Sequence, residues 1–330
     1  MCRRVAGLSS RFVFVFLDGV GLGQREPENP LGEPDNIPFL TNLLGSPLVQ
    51  KPAGNSASIL FKPIDPCLGV PGLPQSATGQ TSLYTGCNAP RFRRQHQTGF
   101  ANGSLRQLIE AHGLFKRVLH LGETATLANL YTPHYFYGIA QRRIRYSVGT
   151  LLNLTAGLPF RLQTEYEAGT AVFWDITGEL AHHRGVQAAP ITPYTAGERL
   201  AHLGRQYGVT LFESYLTDFA GHAQNWDQAV TVLRRVDRCL ESLVNTLDRY
   251  TTLVISSDHG NLENLGTKRH THNPVPLIAV GPRAQEFAQV QDITGITPAI
   301  LHCLGRQPHQ PQAATAVESL KDPQQCSNLR

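Results

Sequence analysis

The feature that most constrains the fold of this chain is a set of apolar runs that each lead into an aspartate. The runs and their aspartates are residues 12–17 with Asp18, residues 209–216 with Asp218, and residues 253–255 with Asp258. Short apolar runs are typical of strands buried on both faces of a parallel sheet. Ligands bind at the carboxyl ends of strands in open α/β sheets, so we expect the three carboxylates to meet at one edge. The pattern predicts an α/β fold, with a doubly wound, mostly parallel sheet and helices on both faces.

Histidines accompany these carboxylates. His222 lies four residues after Asp218, His259 directly follows Asp258, and His270 belongs to the segment KRHTHN. Carboxylates packed together repel one another, which raises their pKa values, and a divalent cation removes that cost. Mixed imidazole and carboxylate ligands suit zinc, manganese or iron better than calcium. The sequence therefore predicts a divalent metal site.

Each motif has a simpler interpretation when it is taken alone. Asp218 with His222 is typical of a helix cap followed by a surface histidine, and residues 258–260 are typical of a turn after a strand. Single histidines such as His270 and His272 are more often surface groups than metal ligands. The combination of the motifs favours the metal site, and the role of His272 stays open.

Residues 74–86 (PQSATGQTSLYTG) contain the candidate nucleophile. Ser76 or Thr78 is placed to cap a short helix that runs toward Tyr84 and stops at Gly86. A hydroxyl at a helix N-terminus feels the positive end of the helix dipole, and backbone N–H groups there hold phosphate. A metal bound to the hydroxyl oxygen would lower its pKa. We predict Ser76 as the nucleophile with Thr78 in reserve; the alternative is a helix cap without a catalytic role.

Composition bounds the class of protein. The net charge of +4 comes from 29 basic and 25 acidic residues without long runs of one sign, which does not favour a nucleic-acid partner. No apolar stretch reaches the roughly 18 residues that a membrane-spanning helix needs. The six cysteines form no C-x-x-C pair, which favours a reduced, cytoplasmic setting. Residues 1–11 lack a hydrophobic segment of their own, so we interpret them as a loose end rather than a targeting peptide.

The periodic pattern divides the chain into a core and an insertion. Expected helices cover residues 38–44, 104–112, 195–207 and 226–249, and further strands are expected at residues 117–121 and 277–280. Between residues 123 and 193 the pattern weakens, and glycine, proline and aromatic residues mix. We therefore predict a core of residues 1–122 and 195–304, a small inserted cap of residues 123–194, and a poorly ordered tail of residues 305–330.

The glycines of residues 18–23 (DGVGLG) invite a dinucleotide-binding interpretation, which the spacing excludes. That fingerprint is G-x-G-x-x-G at the start of a helix. Here the third glycine falls one place early, and residues 26–30 (EPENP) cannot continue a helix.

Taken in order, the motifs resemble those of the alkaline phosphatase superfamily, and within it the metalloenzyme branch of cofactor-independent phosphoglycerate mutase and phosphopentomutase. The resemblance covers about residues 11–122 and 195–304. The segments that carry it are residues 16–21 (FLDGVG, first metal strand), 75–80 (QSATGQ, nucleophile turn), 218–222 (DFAGH), 258–261 (DHGN) and 270–276 (HTHNPVP).

The resemblance implies two divalent metal ions, Mn²⁺ or Zn²⁺, and a small-molecule phosphate ester as substrate. One ion would be held by Asp218, His222 and His270. The other would be held by Asp18, Asp258, His259 and the Ser76 oxygen. Ser76 would be transiently phosphorylated.

The chain departs from the mutase pattern at two places. Gln80 stands where that branch usually has a histidine, and residues 123–193 contain neither its arginine-rich substrate motif nor its acid–base histidine. Arg142, Arg143 and Arg145 are the best candidates for gripping a second charged group, although a solvated basic turn is the more typical interpretation. A small cap admits water, and returning a phosphoryl group to the substrate requires a closed site.

We therefore expect a two-metal phosphoryl-transfer enzyme that acts through Ser76, with hydrolysis by a phosphatase or phosphodiesterase favoured over a phosphomutase. A metal-binding protein with a decayed catalytic site is the non-enzymatic alternative. A sulfatase is not expected, because residues 76–80 lack the C/S-x-P-x-R turn. The sequence leaves the oligomeric state open.

Overall fold

A computed structural model describes residues 10–50 and 55–305. Its centre is a six-stranded sheet in the order β2-β6-β5-β1-β4-β3. The strands are β1 (Arg11–Leu17), β2 (Ile59–Ile64), β3 (Ala125–Leu127), β4 (Val209–Ser214), β5 (Thr251–Ser256) and β6 (Val275–Val280). β5, β1, β4 and β3 are parallel neighbours, whereas β6 runs antiparallel to both β5 and β2.

Helices cover both faces of this sheet, which confirms the predicted doubly wound α/β class. They are α1 (Pro38–Leu44), α2 (Ser76–Thr85), α3 (Ala89–Arg93), α4 (Gly103–His112), α5 (Leu114–His120), α6 (Pro133–Ala140), α7 (Val148–Thr155), α8 (Gln163–Glu167), α9 (Glu179–His182), α10 (Pro193–Gln206), α11 (Leu216–Ala223), α12 (Trp226–Thr246) and α13 (Ile296–Gly305). Among the described residues, none of these helices combines the length and apolar character required to cross a membrane.

Strand β1 shows how one apolar run supplies two cores. Its phenylalanines, at alternate positions 12, 14 and 16, pack into the core that includes residues of α2, α4, α5, α7 and α13. The residues between them, together with Leu17, pack into the opposite core with α1, α10 and α12. Successive side chains of a strand point to opposite faces, so a run without alternation is what a sheet covered on both sides requires.

Two details of the predicted organisation differ from the structure. Residues 117–121 were expected to form a strand but lie mostly in helix α5, because Leu114, Phe115 and Val118 are buried at helical spacing. The edge strand is instead β3, which lies inside the range predicted as an inserted cap and pairs with β4. At the far end, Gly305 completes α13, and the rest of the predicted tail lies outside the described residues.

A buried aspartate that sequence patterns did not single out joins two helices. Asp237 of α12 is 4% exposed, and its carboxylate accepts hydrogen bonds from the backbone N–H groups of Phe39 and Leu40, each at 2.9 Å. These N–H groups lie in the first turn of α1, where a helix has no acceptor of its own. The carboxylate thus caps α1 from a distant part of the chain.

We expect Asp237→Ala to lower the free energy of unfolding by about 2 kcal/mol, because it leaves two N–H groups of α1 without an acceptor. The matched control is Asp227→Ala on the same helix, which is exposed and should change that free energy by about 0.5 kcal/mol or less. Urea denaturation of both variants measures the difference. Equal losses in the two variants would contradict the capping role.

Candidate metal and nucleophile site

The sheet order brings the predicted aspartates together. Asp18 directly follows β1, and Asp258 follows the neighbouring strand β5 by two residues. Asp218 lies in the first turn of α11, just after β4, the other neighbour of β1. All three strands run in parallel, so their carboxyl ends share one edge. Residues separated by most of the sequence therefore become neighbours there.

Three of the predicted site residues converge on the Nε2 atom of a fourth, His259. That nitrogen lies 3.1 Å from the Ser76 Oγ atom, 3.4 Å from an Asp18 carboxylate oxygen and 3.5 Å from an Asp258 carboxylate oxygen. His259 and Asp258 are fully buried, whereas Ser76 is partly exposed. The chemistry of these donors, two carboxylates, an imidazole and a hydroxyl, matches what a divalent transition-metal ion accepts.

A second group consists of Asp218, His222 and His270. The Nε2 atoms of the two histidines lie 3.3 and 3.8 Å from the Asp218 carboxylate oxygens, and one potential ligand atom from each residue lies within 4.8 Å of the others. Asp218 also forms such a group with Asp18 and His259. The two predicted ligand sets are therefore adjacent, with Asp218 between them.

The backbone fixes the orientation of both histidines in this second group. His222 Nδ1 lies 2.8 Å from the Lys268 carbonyl oxygen, and His270 Nδ1 lies 2.9 Å from the Pro74 carbonyl oxygen. A carbonyl can only accept, so Nδ1 carries the proton and donates it. The Nε2 atoms are then left as lone-pair donors aimed at Asp218, which is the arrangement that metal-binding histidines use.

The electrostatics of the cluster are unfavourable without a cation. Burial raises the pKa of Asp18 well above its usual value, and the charges of Asp258 and Asp218 raise it further. Burial, with the Asp218 charge, raises the pKa of Asp258 to about 7. Burial and the neighbouring His270 lower the pKa of His259 to about 3. One buried oxygen of Asp18 and one of Asp258 also lack a hydrogen-bond partner among the described residues. These residues fit a divalent cation, which satisfies such atoms.

Two glycines allow the backbone segments to approach this closely. A Cβ atom on Gly79, in the first turn of α2, would lie 2.8 Å from the Cβ atom and the carbonyl oxygen of Asp258. Gly19 has a φ of +69°, and a Cβ atom there would lie 2.7 Å from an Asp218 carboxylate oxygen. Helix α2 and the loop after β1 therefore pack directly against the carboxylates.

The structure distinguishes the two candidate nucleophiles. Ser76 is the first residue of α2, and Gln75 occupies the N-cap position, so Ser76 is not a simple cap. Thr78 is fully buried; its hydroxyl donates to the Gln75 carbonyl at 3.2 Å and accepts from the Gln97 N–H at 3.1 Å. This geometry favours Ser76, which alone of the two combines partial exposure with contact to the cluster.

Two other residues of the predicted motifs have different partners. Gln80, which stands where the mutase branch usually has a histidine, lies with its side-chain amide 3.3 Å from an Asp258 oxygen and donates to it. His272 is exposed, and its Nδ1 atom lies 3.7 Å from the Cys67 Sγ atom. The described contacts of His272 thus lie with Cys67 rather than with the carboxylates.

Sequence reasoning missed the residue that connects the loops of the site. Glu263 is buried, and its carboxylate accepts hydrogen bonds from the backbone N–H of Gly21 at 3.0 Å, from that of Asn261 at 2.8 Å and from the Asn273 amide at 3.0 Å. The Thr271 hydroxyl donates to it as well. Glu263 therefore joins the loop after β1, the loop after β5 and the segment next to His270. The only sequence feature that could have indicated this role is the position of Glu263, two residues after the DHGN segment.

Asn261 was part of a recognised motif, but its contact was not foreseen. Its side-chain amide donates to a carboxylate oxygen of Asp218 at 2.8 Å. The contact crosses from the loop after β5 to helix α11. Asn261 therefore orients the aspartate that lies between the two groups.

Comparisons with known proteins agree with this geometry. A family model described as the Metalloenzyme superfamily matches residues 197–308, the segment that contains Asp218, His222, Asp258, His259 and His270. The chain is 36% identical over 97 residues to the 2,3-bisphosphoglycerate-independent phosphoglycerate mutase of Halobacterium salinarum, a match covering 27% of this chain and 19% of that protein. It is 34% identical over 118 residues to the enzyme of the same name from Thermomicrobium roseum, covering 31% and 22%. The matches thus span about a fifth of the length of these curated relatives.

Solved structures show the same fold at low sequence identity. A cold-active alkaline phosphatase from a psychrophilic Shewanella species has a TM-score of 0.55 at 13% identity, with 90% of this chain and 100% of that chain covered. The alkaline phosphatase of the Antarctic bacterium TAB5 has a TM-score of 0.51 at 12% identity, with 90% and 98% covered. The PH0037 protein from Pyrococcus horikoshii has a TM-score of 0.54 at 12% identity, with 93% and 99% covered.

The predicted resemblance is confirmed. Residues 197–308 match the Metalloenzyme superfamily, and the fold of the chain is that of the alkaline phosphatases.

The raised pKa of Asp258 gives a pH-dependent stability in metal-free protein. Asp258 has a pKa of about 7 in the folded protein, above the ordinary aspartate value of about 4. Between these two pH values the folded state binds more protons than the unfolded state, so the free energy of unfolding falls as the pH rises from about 4 to about 7. In EDTA, Asp258→Asn should therefore melt a few degrees above the wild type at pH 8 and close to it at pH 4.5.

Thermal melts of both proteins at the two pH values, repeated with Mn²⁺, provide the measurement. Mn²⁺ should raise the melting temperature of the wild type more than that of Asp258→Asn, because the variant lacks one anionic ligand. If the melting temperatures of the two proteins in EDTA differ by the same amount at both pH values, ionisation of Asp258 does not destabilise the metal-free fold.

Proposed function

We propose that this chain is a metal-dependent phosphoryl-transfer enzyme that hydrolyses phosphate esters through Ser76. The observation that carries the proposal is the position of the Ser76 hydroxyl, partly exposed at the start of α2 and 3.1 Å from the Nε2 atom of His259, within a cluster of buried carboxylates. The match of residues 197–308 to the Metalloenzyme superfamily supports dependence on a divalent metal. The number of ions, the metal and the substrate are parts of the proposal.

Two Mn²⁺ or Zn²⁺ ions are the proposed cofactors. Asp18, Asp258, His259 and Ser76 would hold one of them, and His222 and His270 the other, with Asp218 between the two. When bound, the ions would offset the charge of the phosphate oxygens and favour the ionised form of the serine hydroxyl.

The protein itself supplies position and electrostatics. The N-terminus of α2 points its partial positive charge toward a phosphate that approaches Ser76. The Ser76 hydroxyl gives its proton to solvent, and a bond forms between Ser76 Oγ and phosphorus while the ester P–O bond breaks; the alcohol leaves after taking a proton from solvent. Water then attacks the phosphoserine, which releases inorganic phosphate and restores the hydroxyl. Gln80 and Asn261 hold Asp258 and Asp218 in place throughout.

A phosphomutase is the second candidate, and two arginines favour it. Arg145 and Arg184 border a cavity that adjoins the site, where they are placed to attract a second anionic group of a sugar phosphate. Both guanidinium groups are exposed, however, as are Arg142 and Arg143. A mutase must hold the dephosphorylated intermediate away from water, and exposed arginines are poorly suited to that. We therefore favour hydrolysis, and we place the protein in the cytoplasm as part of this proposal.

Ser76→Ala should reduce the turnover of 4-nitrophenyl phosphate by about 10³-fold or more, because the covalent intermediate loses its oxygen. The matched control is Thr78→Ala on the same helix turn, which should keep activity within about tenfold. Absorbance at saturating Mn²⁺ measures both rates, and elemental analysis should find close to two equivalents of metal in the control. Loss of activity in Thr78→Ala but not in Ser76→Ala would move the nucleophile to Thr78.

Phosphorus NMR distinguishes a hydrolase from a mutase. The protein is incubated with 3-phosphoglycerate and, separately, with ribose 1-phosphate in Mn²⁺, and both free phosphate and the isomeric ester are followed. We expect free phosphate without isomer, because water reaches the phosphoserine. Isomer formed without free phosphate would instead establish the mutase.

A further inference from the structure

A cavity of about 250 Å³ lies beside the metal and nucleophile site. Its walls come partly from the predicted insertion, which contributes Tyr131 and Trp174, and partly from the core, which contributes Tyr215 and Phe219. Phe100 completes the ring of aromatic side chains that we call the aromatic cavity. The residues that form the carboxylate and histidine cluster do not line it, so its role is separate from theirs.

The position of the aromatic cavity next to the site follows from the backbone. Phe219, in its wall, directly follows Asp218 on α11. Glu213, also in its wall, pairs with Phe16 in the β1–β4 register, two residues before Asp18. A group held in the cavity is therefore adjacent to the carboxyl ends of β1 and β4, where the phosphate would bind.

The aromatic rings of the walls lie close to one another. The Trp174 ring lies 6.1 Å from the Tyr215 ring and 5.6 Å from the Phe219 ring, measured between centroids. Phe219 is 54% exposed and Phe100 is 42% exposed, although both are large apolar residues. Exposed rings grouped around a concave surface are typical of a ligand site, because a second ring can stack on them and bury their faces.

The floor of the cavity is rigid. Glu213 is 1% exposed, and its two carboxylate oxygens accept hydrogen bonds from the Tyr84 hydroxyl at 2.8 Å and the Tyr215 hydroxyl at 2.9 Å. The Asn129 side chain both donates to and accepts from the Glu213 backbone, at 2.8 and 2.9 Å. Tyr215 is thereby fixed in one orientation, so the wall that it forms is present before any ligand arrives.

We propose that the aromatic cavity binds the organic group of the phosphate ester, and that this group is a flat aromatic ring such as an aryl group or a nucleobase. The inference rests on the proposed function and names the substrate class for it. The volume agrees, because an apolar cavity of about 150 Å³ already accommodates benzene. A glycerate or pentose has no π-face and would leave the walls unsatisfied.

The two tryptophans of the chain, Trp174 and Trp226, allow a direct binding test that needs no turnover. In a Trp226→Phe background, Trp174 is the only tryptophan, and it lies in the cavity wall. Phenylphosphonate, whose C–P bond resists hydrolysis, is titrated into the Mn²⁺-loaded protein while tryptophan fluorescence is followed. Methylphosphonate is then measured by its ability to displace phenylphosphonate.

We expect a saturable change in Trp174 fluorescence and a Kd about tenfold lower for phenylphosphonate than for methylphosphonate. Phe219→Ala in the same background should reduce that ratio to within about twofold, with its metal content unchanged. The matched control is Tyr194→Ala, which removes an aromatic ring that is 40% exposed and lies outside the cavity wall. It should keep the full ratio.

The possible outcomes separate this inference from the proposed function. Equal affinities for the two phosphonates, or a tenfold ratio that Phe219→Ala leaves unchanged, would overturn the aromatic cavity as the binding site, whatever Ser76 does. A preference for phenylphosphonate that depends on Phe219 would establish the cavity. This conclusion about binding would hold even if the protein turned over no phosphate ester. Absence of turnover would refute only the proposed reaction.

Discussion

The structure depends on the burial of carboxylates at the carboxyl edge of β1 and β5. Asp258 is fully buried and Asp18 nearly so, and each has an oxygen without a hydrogen-bond partner among the described residues. Removing two such charges from water costs several kcal/mol each unless they are neutralised or paired. A proton offsets the cost by raising the pKa values, and a divalent cation offsets it while keeping both groups ionised. The same arrangement that destabilises the metal-free fold thus favours binding of a divalent cation.

The energetic cost of burying the carboxylates is also related to the tight packing around the site. Carboxylates can be buried only if the surrounding backbone excludes water, and here the first turn of α2 lies against Asp258 at a distance that admits only glycine at position 79. Ser76, three residues earlier on the same turn, is positioned by that contact. Glu263 joins the loops from the other side through hydrogen bonds with three separate segments. The proposed nucleophile and the proposed ligands are therefore positioned by one set of contacts, which is what preorganised chemistry requires.

Sequence patterns predicted the convergence of Asp18, Asp218 and Asp258, because parallel strands place their carboxyl ends on one edge wherever they lie in the chain. Helix α1 was predicted with its observed bounds, since Pro38 starts it and Gly45 follows it. Helix α5 was mistaken for a strand because a run of only seven residues offers too few turns for the helical period to appear. The roles of Asp237 and Glu263 depend on partners far away in the chain, and no local pattern carries that information.

The metal cluster and the aromatic cavity come from different parts of the chain, and this separates chemistry from substrate choice. Every predicted ligand lies in the predicted core, close after β1 or β5, on α2 or α11, or, for His270, in the loop between β5 and β6. Tyr131 and Trp174, by contrast, lie within the predicted insertion and line the cavity together with Tyr215 and Phe219 of the core. Substitutions in the cavity wall can therefore change which organic group fits without removing a predicted ligand, and this holds even for Phe219, whose side chain lines the cavity although it follows Asp218 on α11. Under the proposed function, a relative with the same cluster and a different insertion would accordingly act on phosphate esters of a different alcohol.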